Sequence, residues 1–468
     1  MTFGEALLWF NDNVLYYPLL IILLLGAGIY FTIRTGWVQG LVGEGLRVVK
    51  EKTGDGEVSG LEALMVTVGS KVGTGNIIGV STAICLGGYG AVFWMWITGL
   101  IGASSAFIES ALAQIYKRRD PDGGSYGGPS YYMQHALNSR ALGVIFSIAL
   151  ILTFGVGFNA LASFNLQSSF EVYGFYNPQV TPKIIGGILA LLTAYCLFGG
   201  GKRIIAFCSK IVPLMGGAYV IIALLVLIFN FRNIPSTFGK IFSDAFNFEA
   251  IFGGIAGSSL MFGVKRGLYA NEAGIGSAPN AAANAKSSHP AKIGLVQMLS
   301  VFIVTFGICT ATSLMTISSG IEATPELAGA PYVQEALYNT FGSFGHIFIT
   351  AALVFFAFTT VLGNLYYVDS NLTYLKGSKP SQGFMTIYRI IASIVVFVGA
   401  SAKMSMIWNL SDLFMGIMAI VNVPVILILG KQAIDCLNDY REQIKAGKDP
   451  VFRAADIGID PNKVEYWK

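Results

Sequence analysis

The sequence predicts an all-α integral membrane protein with about eleven transmembrane helices. Three observations carry this. Of 468 residues, 54% are hydrophobic and only 12% charged, where soluble domains average about 25% charged. Apolar stretches of about twenty residues, the length that crosses a bilayer, recur along the whole chain. Lysine and arginine cluster on alternate connecting segments, the positive-inside pattern.

The expected spans are residues 14–33, 59–86, 90–115, 141–170, 183–199, 203–230, 248–273, 290–315, 345–372, 384–400 and 406–430. The first apolar run is too long for a signal-peptide core and lacks a clear cleavage site, so it reads as retained. An amphipathic link with Arg34, Arg47, Lys50 and Lys52 follows it. Basic residues concentrate after odd-numbered spans, at Lys117-Arg118-Arg119, Lys202-Arg203 and Lys265-Arg266, and in the tail from Lys431 to Lys468. The other side has only Lys183, Arg232, Lys240 and Lys403. This places the N-terminus outside and the C-terminus in the cytoplasm of a multi-pass cell-membrane protein. The tail either lies on the inner leaflet or is solvated.

The second span is unusual. Gly69, Gly73, Gly75 and Gly79 interrupt it, with Ser70, Lys71, Thr74 and Asn76 between them. Each interior glycine costs a helix roughly 1 kcal/mol against alanine. Polar groups at this depth are expensive and usually functional. The stretch therefore predicts a discontinuous helix with a small-solute site at the break; the alternative is close helix packing through glycine. A second run of this kind, Phe252-Gly-Gly-Ile-Ala-Gly-Ser-Ser-Leu-Met-Phe-Gly263, lies five spans later. Five is odd, so the two broken helices enter from opposite sides. That predicts a 5+5 inverted repeat, with residues 59–230 and 248–430 as the units, 1–58 as an extra N-terminal helix and link, and 431–468 as a tail. Chance in a chain with 56 glycines is the competing explanation.

The break has a predictable polarity. The first half-helix ends near Gly69–Val72 with unpaired carbonyls, and the second begins near Gly75–Asn76 with free N–H groups. A cation or ammonium belongs at the first and a carboxylate at the second, and an amino-acid zwitterion satisfies both. Thr359 and Thr360, near mid-membrane in the ninth span, add hydroxyls for a small hard cation. With no carboxylate at that depth in either helix, a monovalent ion is favoured over Ca²⁺; interhelical hydrogen bonding by threonine is the alternative. The candidate substrate residues are Gly73, Thr74, Gly75 and Asn76 at the first break, Gly257 and Ser258 at the second, Gly363 in the ninth span, and Phe164 and Gln167 from the polar run of the fourth. An outer vestibule is the competing role for the last two. Lys71 is expected to form a structural or gating ion pair with Glu62, Glu109, Glu272 or Asp369.

Gly73-Thr-Gly-Asn-Ile-Ile-Gly-Val80, Gly87-Gly-Tyr-Gly-Ala-Val-Phe-Trp-Met-Trp96 and Tyr269-Ala-Asn-Glu-Ala-Gly-Ile-Gly-Ser277 resemble the signatures of the alanine or glycine:cation symporter family. The resemblance covers essentially the whole chain. It implies sodium-coupled uptake of alanine or glycine by a leucine-transporter-like fold, acting as a monomer in the lipid bilayer with no nucleic-acid partner. It further implies a sodium position made by the carbonyls of Gly69, Val72 and Phe356 with Thr359 and Thr360. Gly75 and Asn76 match the substrate-carboxylate and sodium region. Lys71 departs from the wider pattern and leaves a first sodium site open.

Other classes lack their chemistry here. There is no GxxxxGK[ST] for a nucleotide-driven pump and no HExxH, and His135, His289 and His346 are scattered near membrane edges, so no enzyme is predicted. The five cysteines show no CxxC spacing and read as packing residues. A proton-coupled permease of the same fold is the nearest rival.

Overall fold

A computed structural model describes residues 2–51, 54, 57–120, 124–247 and 258–468. Among them, 8 helices are long and apolar enough to cross a membrane, and one further pair passes as a span bent by 60°. The helices that organise the molecule are α1 (Phe3–Arg34), α2 (Gly60–Lys71), α3 (Ile78–Gly87), α4 (Ala91–Ile115), α5 (Arg140–Ser168), α6 (Thr181–Leu197), α7 (Gly200–Phe229), α8 (Ser259–Asn271), α9 (Ala278–Ala282), α10 (Pro290–Ser318), α11 (Ser343–Lys376), α12 (Gln382–Gly399) and α13 (Met404–Lys445). Every interval expected to span holds a helix or broken helix, although α6 and α8 are short of the usual crossing length. The two-stranded ribbon Arg118–Arg119 with Ser125–Tyr126 is a minor connection.

Burial separates centre from rim. The most apolar window of α10 is 72% buried, whereas that of α7 is 28% buried. Helix α7 turns Leu214, Ile221, Leu224 and Ile228 outward. An apolar rim around a polar centre is what hydrocarbon solvent selects.

The first break lies where the glycines predict it. Ser59 and Glu62 form a reciprocal capping box that starts α2, satisfying two donors that a helix N-terminus leaves open. This commits Glu62 to the far end of α2 from Lys71. The helix stops at Val72 (φ −77, ψ 77), and Gly73 is extended. A short 3-10 turn, Thr74–Asn76, leads into α3.

A second departure from helical geometry lies beyond the predicted glycine–serine run. Residues 252–257 of the glycine–serine run, Gly257 included, lie outside the described residues. The rest of the run is helical: Ser258 caps α8 by accepting the Met261 N–H. Gly263 and Gly267 serve packing, since a Cβ on them would come 2.5 Å from Trp94 Cβ and Thr98 Oγ1 of α4. The chain leaves helical geometry at Glu272–Ser277, between α8 and α9. Glu272 has φ +53, Gly274 φ +86 and Gly276 φ +85, a left-handed conformation that glycine tolerates and other residues rarely adopt.

Lys265 and Arg266 are not loop residues. They are buried in α8, where Arg266 makes a bidentate pair with Asp412 (3.2 and 3.0 Å) and Lys265 reaches Asp12 and Asp412 (2.8 and 3.1 Å). Compensation by two carboxylates explains how two cations sit inside a helix bundle. They therefore drop out of the positive-inside tally.

The tail is docked. Helix α13 continues to Lys445, and the chain then folds back to the end of α4. Trp467 Nε1 donates to the Gln114 carbonyl (2.7 Å), Arg118 pairs with Glu465 (3.1 Å), and Lys117 Nζ lies 4.7 Å from the Tyr466 ring centre. The Phe452 N–H donates to the Ser288 carbonyl (3.0 Å). The buried indole of Trp467 is the tail's anchor. Removing a buried Trp side chain costs about 3 kcal/mol or more. Trp467→Ala should therefore expose residues beyond Lys445 to limited proteolysis at least tenfold faster while the membrane-embedded core resists; an unchanged cleavage rate would contradict this docking.

Candidate functional site

The first break satisfies its own backbone with neighbouring side chains. The Gly73 N–H turns back to the Lys71 carbonyl (2.9 Å), and Asn76 Nδ2 donates to the same oxygen (2.9 Å). The Asn76 carbonyl accepts from Thr312 Oγ1 of α10 (2.9 Å), which Tyr219 of α7 holds in place (2.8 Å). Asn165 Nδ2 of α5 donates to Thr74 Oγ1 (3.0 Å). Thr74, Asn76 and Asn165 are fully buried.

Helix α11 closes one side. Thr360 Oγ1 faces the Gly69 carbonyl (3.5 Å), and a Cβ on Gly73 would collide with the same hydroxyl. Thr359 is turned the other way along its own helix, donating to the carbonyls of Phe355 (3.0 Å) and Phe356 (3.3 Å) beside Met215 Sδ (3.6 Å). The structure thus brings Thr360 and Gly69 together, with Val72 as the cap of α2 and the Phe356 carbonyl linked through Thr359. All these donors are neutral oxygens. Gly363 is a packing residue, because a Cβ there would lie 2.7 Å from the Ser70 amide nitrogen. Ser70 Oγ continues into a polar chain through Asn364 (2.7 Å) to Asn159 (2.9 Å).

Aromatic rings cover the other side. Any Cβ on Gly75 would enter the Tyr269 ring of α8. Tyr269 packs edge-on against Phe158 (4.6 Å) and against Trp408 (5.2 Å), whose far face carries the Arg266 guanidinium at 4.0 Å. Ser258 does not reach this centre. It precedes Tyr269 by eleven residues, about 16 Å along a helix.

Phe164 and Gln167 also face elsewhere. They line a cleft of about 480 Å³ with Glu171, Tyr176, Lys183 and Ser401, and Gln167 accepts from the Tyr176 hydroxyl (2.9 Å). This is the vestibule role. The residues of α5 that turn to the break are Phe158 and Asn165, spaced i, i+7 on one helical face. That spacing was the available signal for Asn165, which lies between Phe164 and Gln167 in the polar run of the fourth span.

Lys71 points away from the break. Its Nζ donates to Ser300 Oγ of α10 (3.0 Å), and Glu272 and Glu109 are the carboxylates acting on its charge. Glu272 opens the second break and Glu109, on α4, holds it: the Glu109 carboxylate accepts from the amides of Gly274 (3.4 Å) and Gly276 (3.0 Å) and from Asn422 (2.9 Å), while Glu272 accepts from Ser277 (2.5 Å). Asp369 is not among its partners.

A polytopic bundle with a helix interrupted at its buried centre and opposed half-helix ends has the architecture of solute transporters. Residues 1–454 match the sodium:alanine symporter family, and the chain belongs to that family. It is 42% identical over 448 residues to the amino-acid carrier protein AlsT of Bacillus subtilis, covering 95% of this chain and 94% of that one. It is 40% identical to the probable sodium/glutamine symporter GlnT of the same organism (99% and 96% covered) and 38% to the sodium/alanine symporter AgcS of Methanococcus maripaludis (92% and 96%). The solved structure of a Na⁺-coupled sialic acid symporter aligns with a TM-score of 0.47 at 14% identity, covering 93% of this chain and 86% of that one.

The Gly75–Tyr269 contact makes a direct prediction. Gly75→Ala forces the ring aside, and overpacking of this kind costs about 1–3 kcal/mol. The thermal unfolding midpoint should fall, and Tyr269→Leu in the same chain should restore most of it. A Gly75→Ala protein with an unchanged midpoint would show that the ring does not lie on this turn.

Proposed function

We propose that the chain is a secondary active transporter that brings a small neutral amino acid, alanine or glycine, into the cell together with sodium by alternating access. The observation that carries this is the break itself. One dry centre presents carbonyl oxygens at the end of α2 and amides at the start of the Thr74–Asn76 turn, where a zwitterion finds both complements. The α2 carbonyl end, facing Thr360, supplies the uncharged oxygens that suit a monovalent hard cation. The binding set proposed for substrate is Gly73, Thr74, Gly75 and Asn76, closed by Tyr269. For sodium it is Gly69, Val72, Phe356, Thr359 and Thr360. Family membership supports sodium as the coupling ion, and the Tyr269 and Phe158 rings above Gly75 favour a small side chain.

The proposed organisation keeps the two five-helix units, 59–230 and 248–430, with the second break now at Glu272–Ser277. Residues 1–58 add a helix outside the repeat, and residues 431–468 form the cytoplasmic extension. With Lys265 and Arg266 removed from the tally, the remaining basic residues still favour an external N-terminus and a cytoplasmic C-terminus in the cell membrane. Function as a monomer in the bilayer is part of the same reading.

Uptake of alanine into proteoliposomes under an imposed sodium gradient or an imposed proton gradient tests the coupling. Accumulation with sodium alone is expected; accumulation with protons alone would replace sodium by a proton on the same fold. In the same assay, Thr360→Val should raise the half-saturating sodium concentration at least tenfold and leave the alanine KM at saturating sodium within about threefold, tenfold being about 1.4 kcal/mol. An unaltered sodium titration would remove Thr360 from the ion site.

A further inference from the structure

We infer that Asn165 is a binding residue of this centre, its amide oxygen acting with that of Asn76 to receive a singly charged cationic group. The chemistry is shared by two guests, the ammonium of the amino acid and the coupling ion. The inference rests on the reading of the chain as a sodium-driven amino-acid carrier, and it adds a helix, α5, to the set of elements that bind.

The argument begins with the Thr74–Asn76 turn. The orientation of the Asn76 amide is fixed by its partner: the Lys71 carbonyl can only accept, so Nδ2 faces it and Oδ1 is left over. Asn165 spends its Nδ2 on Thr74 Oγ1 at 3.0 Å. Both side chains are fully buried, and both amide oxygens lack a hydrogen-bond partner among the described residues. A buried acceptor left without a donor is unfavourable, and here two flank a single three-residue turn.

The neighbouring donors are committed. The Lys71 ammonium is turned to Ser300 on α10, the Thr312 hydroxyl serves the Asn76 main-chain carbonyl, and the Tyr219 hydroxyl is bonded to Thr312. A carboxylate would be repelled by two oxygens, whereas an ammonium or a sodium ion is what they can hold. Amides at the start of the turn remain for the anionic end of a zwitterion. On α5 the polar and apolar contacts are ordered along one face. Asn165 meets the turn, and Phe158, seven residues earlier, packs on Tyr269 above Gly75. One helix thus offers an acceptor for the charged end and a ring for the small apolar end of the same guest.

Alanine uptake driven by a sodium gradient is measured in proteoliposomes for the wild type, Asn165→Leu, Asn165→Asp, Thr74→Val and the double variant of Thr74→Val with Asn165→Leu. Asn165→Leu keeps the volume and deletes the acceptor. If the ammonium is the guest, the alanine KM should rise at least tenfold with the half-saturating sodium concentration within threefold. If the ion is the guest, the two constants should exchange behaviour. Either result supports the assignment. Asn165→Asp retains an acceptor but loses the donor to Thr74, so its rise in either constant should be smaller than that of Asn165→Leu and stay below tenfold. A tenfold rise there overturns the assignment, even if the leucine variant does not fold. Thr74→Val leaves the Asn165 oxygen in place, so adding Asn165→Leu to Thr74→Val should raise the affected constant further; a double variant no worse than Thr74→Val would reduce Asn165 to holding Thr74 and overturn the assignment too. Unchanged constants in Asn165→Leu alongside sodium-driven uptake by the wild type overturn this inference alone. Absence of sodium-driven uptake by the wild type overturns the carrier reading beneath it.

Discussion

A helix interrupted inside hydrocarbon must find partners for its backbone within the protein, and much of this structure answers that demand. The end of α2 and the start of the next turn expose main-chain groups at the centre of the bundle. Asn76 supplies a donor to Lys71 O, Thr312 a donor to Asn76 O, and Thr360 a hydroxyl at Gly69 O. These side chains come from the broken helix, α10 and α11. Removing any one leaves a buried acceptor without its donor, at a cost of about 1–3 kcal/mol. The packing of at least two neighbouring helices is therefore tied to the conformation of four or five residues.

The two breaks are also tied to each other. Lys71 ends α2, where the carbonyl end of a half-helix favours a cation, yet its ammonium reaches across to α10 under the influence of Glu272 and Glu109. Glu109 holds the amides of Gly274 and Gly276, so it fixes the left-handed turns of the second break through direct bonds. Lys71 is thus held by Ser300 of α10 with the carboxylates at the second break nearby, and its ammonium is directed away from the oxygens around Thr74 and Thr360. That placement resolves the difficulty of a lysine beside a cation site. Like charges repel when they share a site, and here the ammonium is directed outside it.

What could be read in advance follows from the kind of signal each feature leaves. The first break was legible because four glycines and four polar residues interrupt an apolar span. Glycine density alone did not mark the departure at Glu272–Ser277, because glycine density has two causes. At Gly263 and Gly267 it lets α8 approach α4, and only the Glu272–Gly276 segment uses positive φ. The polar run on α5 was visible, but which side faces the break is decided by tertiary packing. A rotation of about 100° per residue separates Asn165 from Phe164, so adjacent positions serve different cavities. Lys265 and Arg266 looked like loop cations because their compensating partners, Asp12 and Asp412, are remote in sequence. The docked tail left no periodic signal; Trp467 and Glu465 acquire meaning only beside Gln114 and Arg118.

The contacts on the two sides of the centre differ in kind, and the difference bears on how such a molecule moves. Above Tyr269 and Trp408 lies the Lys265–Arg266–Asp412–Asp12 cluster, in which Lys265, Arg266 and Asp412 are at most 5% exposed. Separating a buried pair strands a charge and costs about 3–5 kcal/mol. At the foot of α2, by contrast, the Lys286 N–H meets the Val58 carbonyl (2.9 Å) and Lys286 pairs with a partly exposed Glu57, the lysine being 59% exposed. A pair so solvated contributes about 0–1 kcal/mol. The most deeply buried ion pairs are therefore on the Arg266 side, and on the other side Lys292–Asp449 (3.0 Å) and Arg118–Glu465 (3.1 Å), whose carboxylates are solvent-exposed, join the Trp467 anchor in holding the docked tail. Alternating access demands that these two sets of contacts be released in turn. In the proposed carrier, binding energy delivered at the break would act on the first, because Tyr269 lies against Gly75 and packs on Trp408, and a Cβ on Gly79 would lie 3.6 Å from Trp408 and 3.8 Å from Arg266.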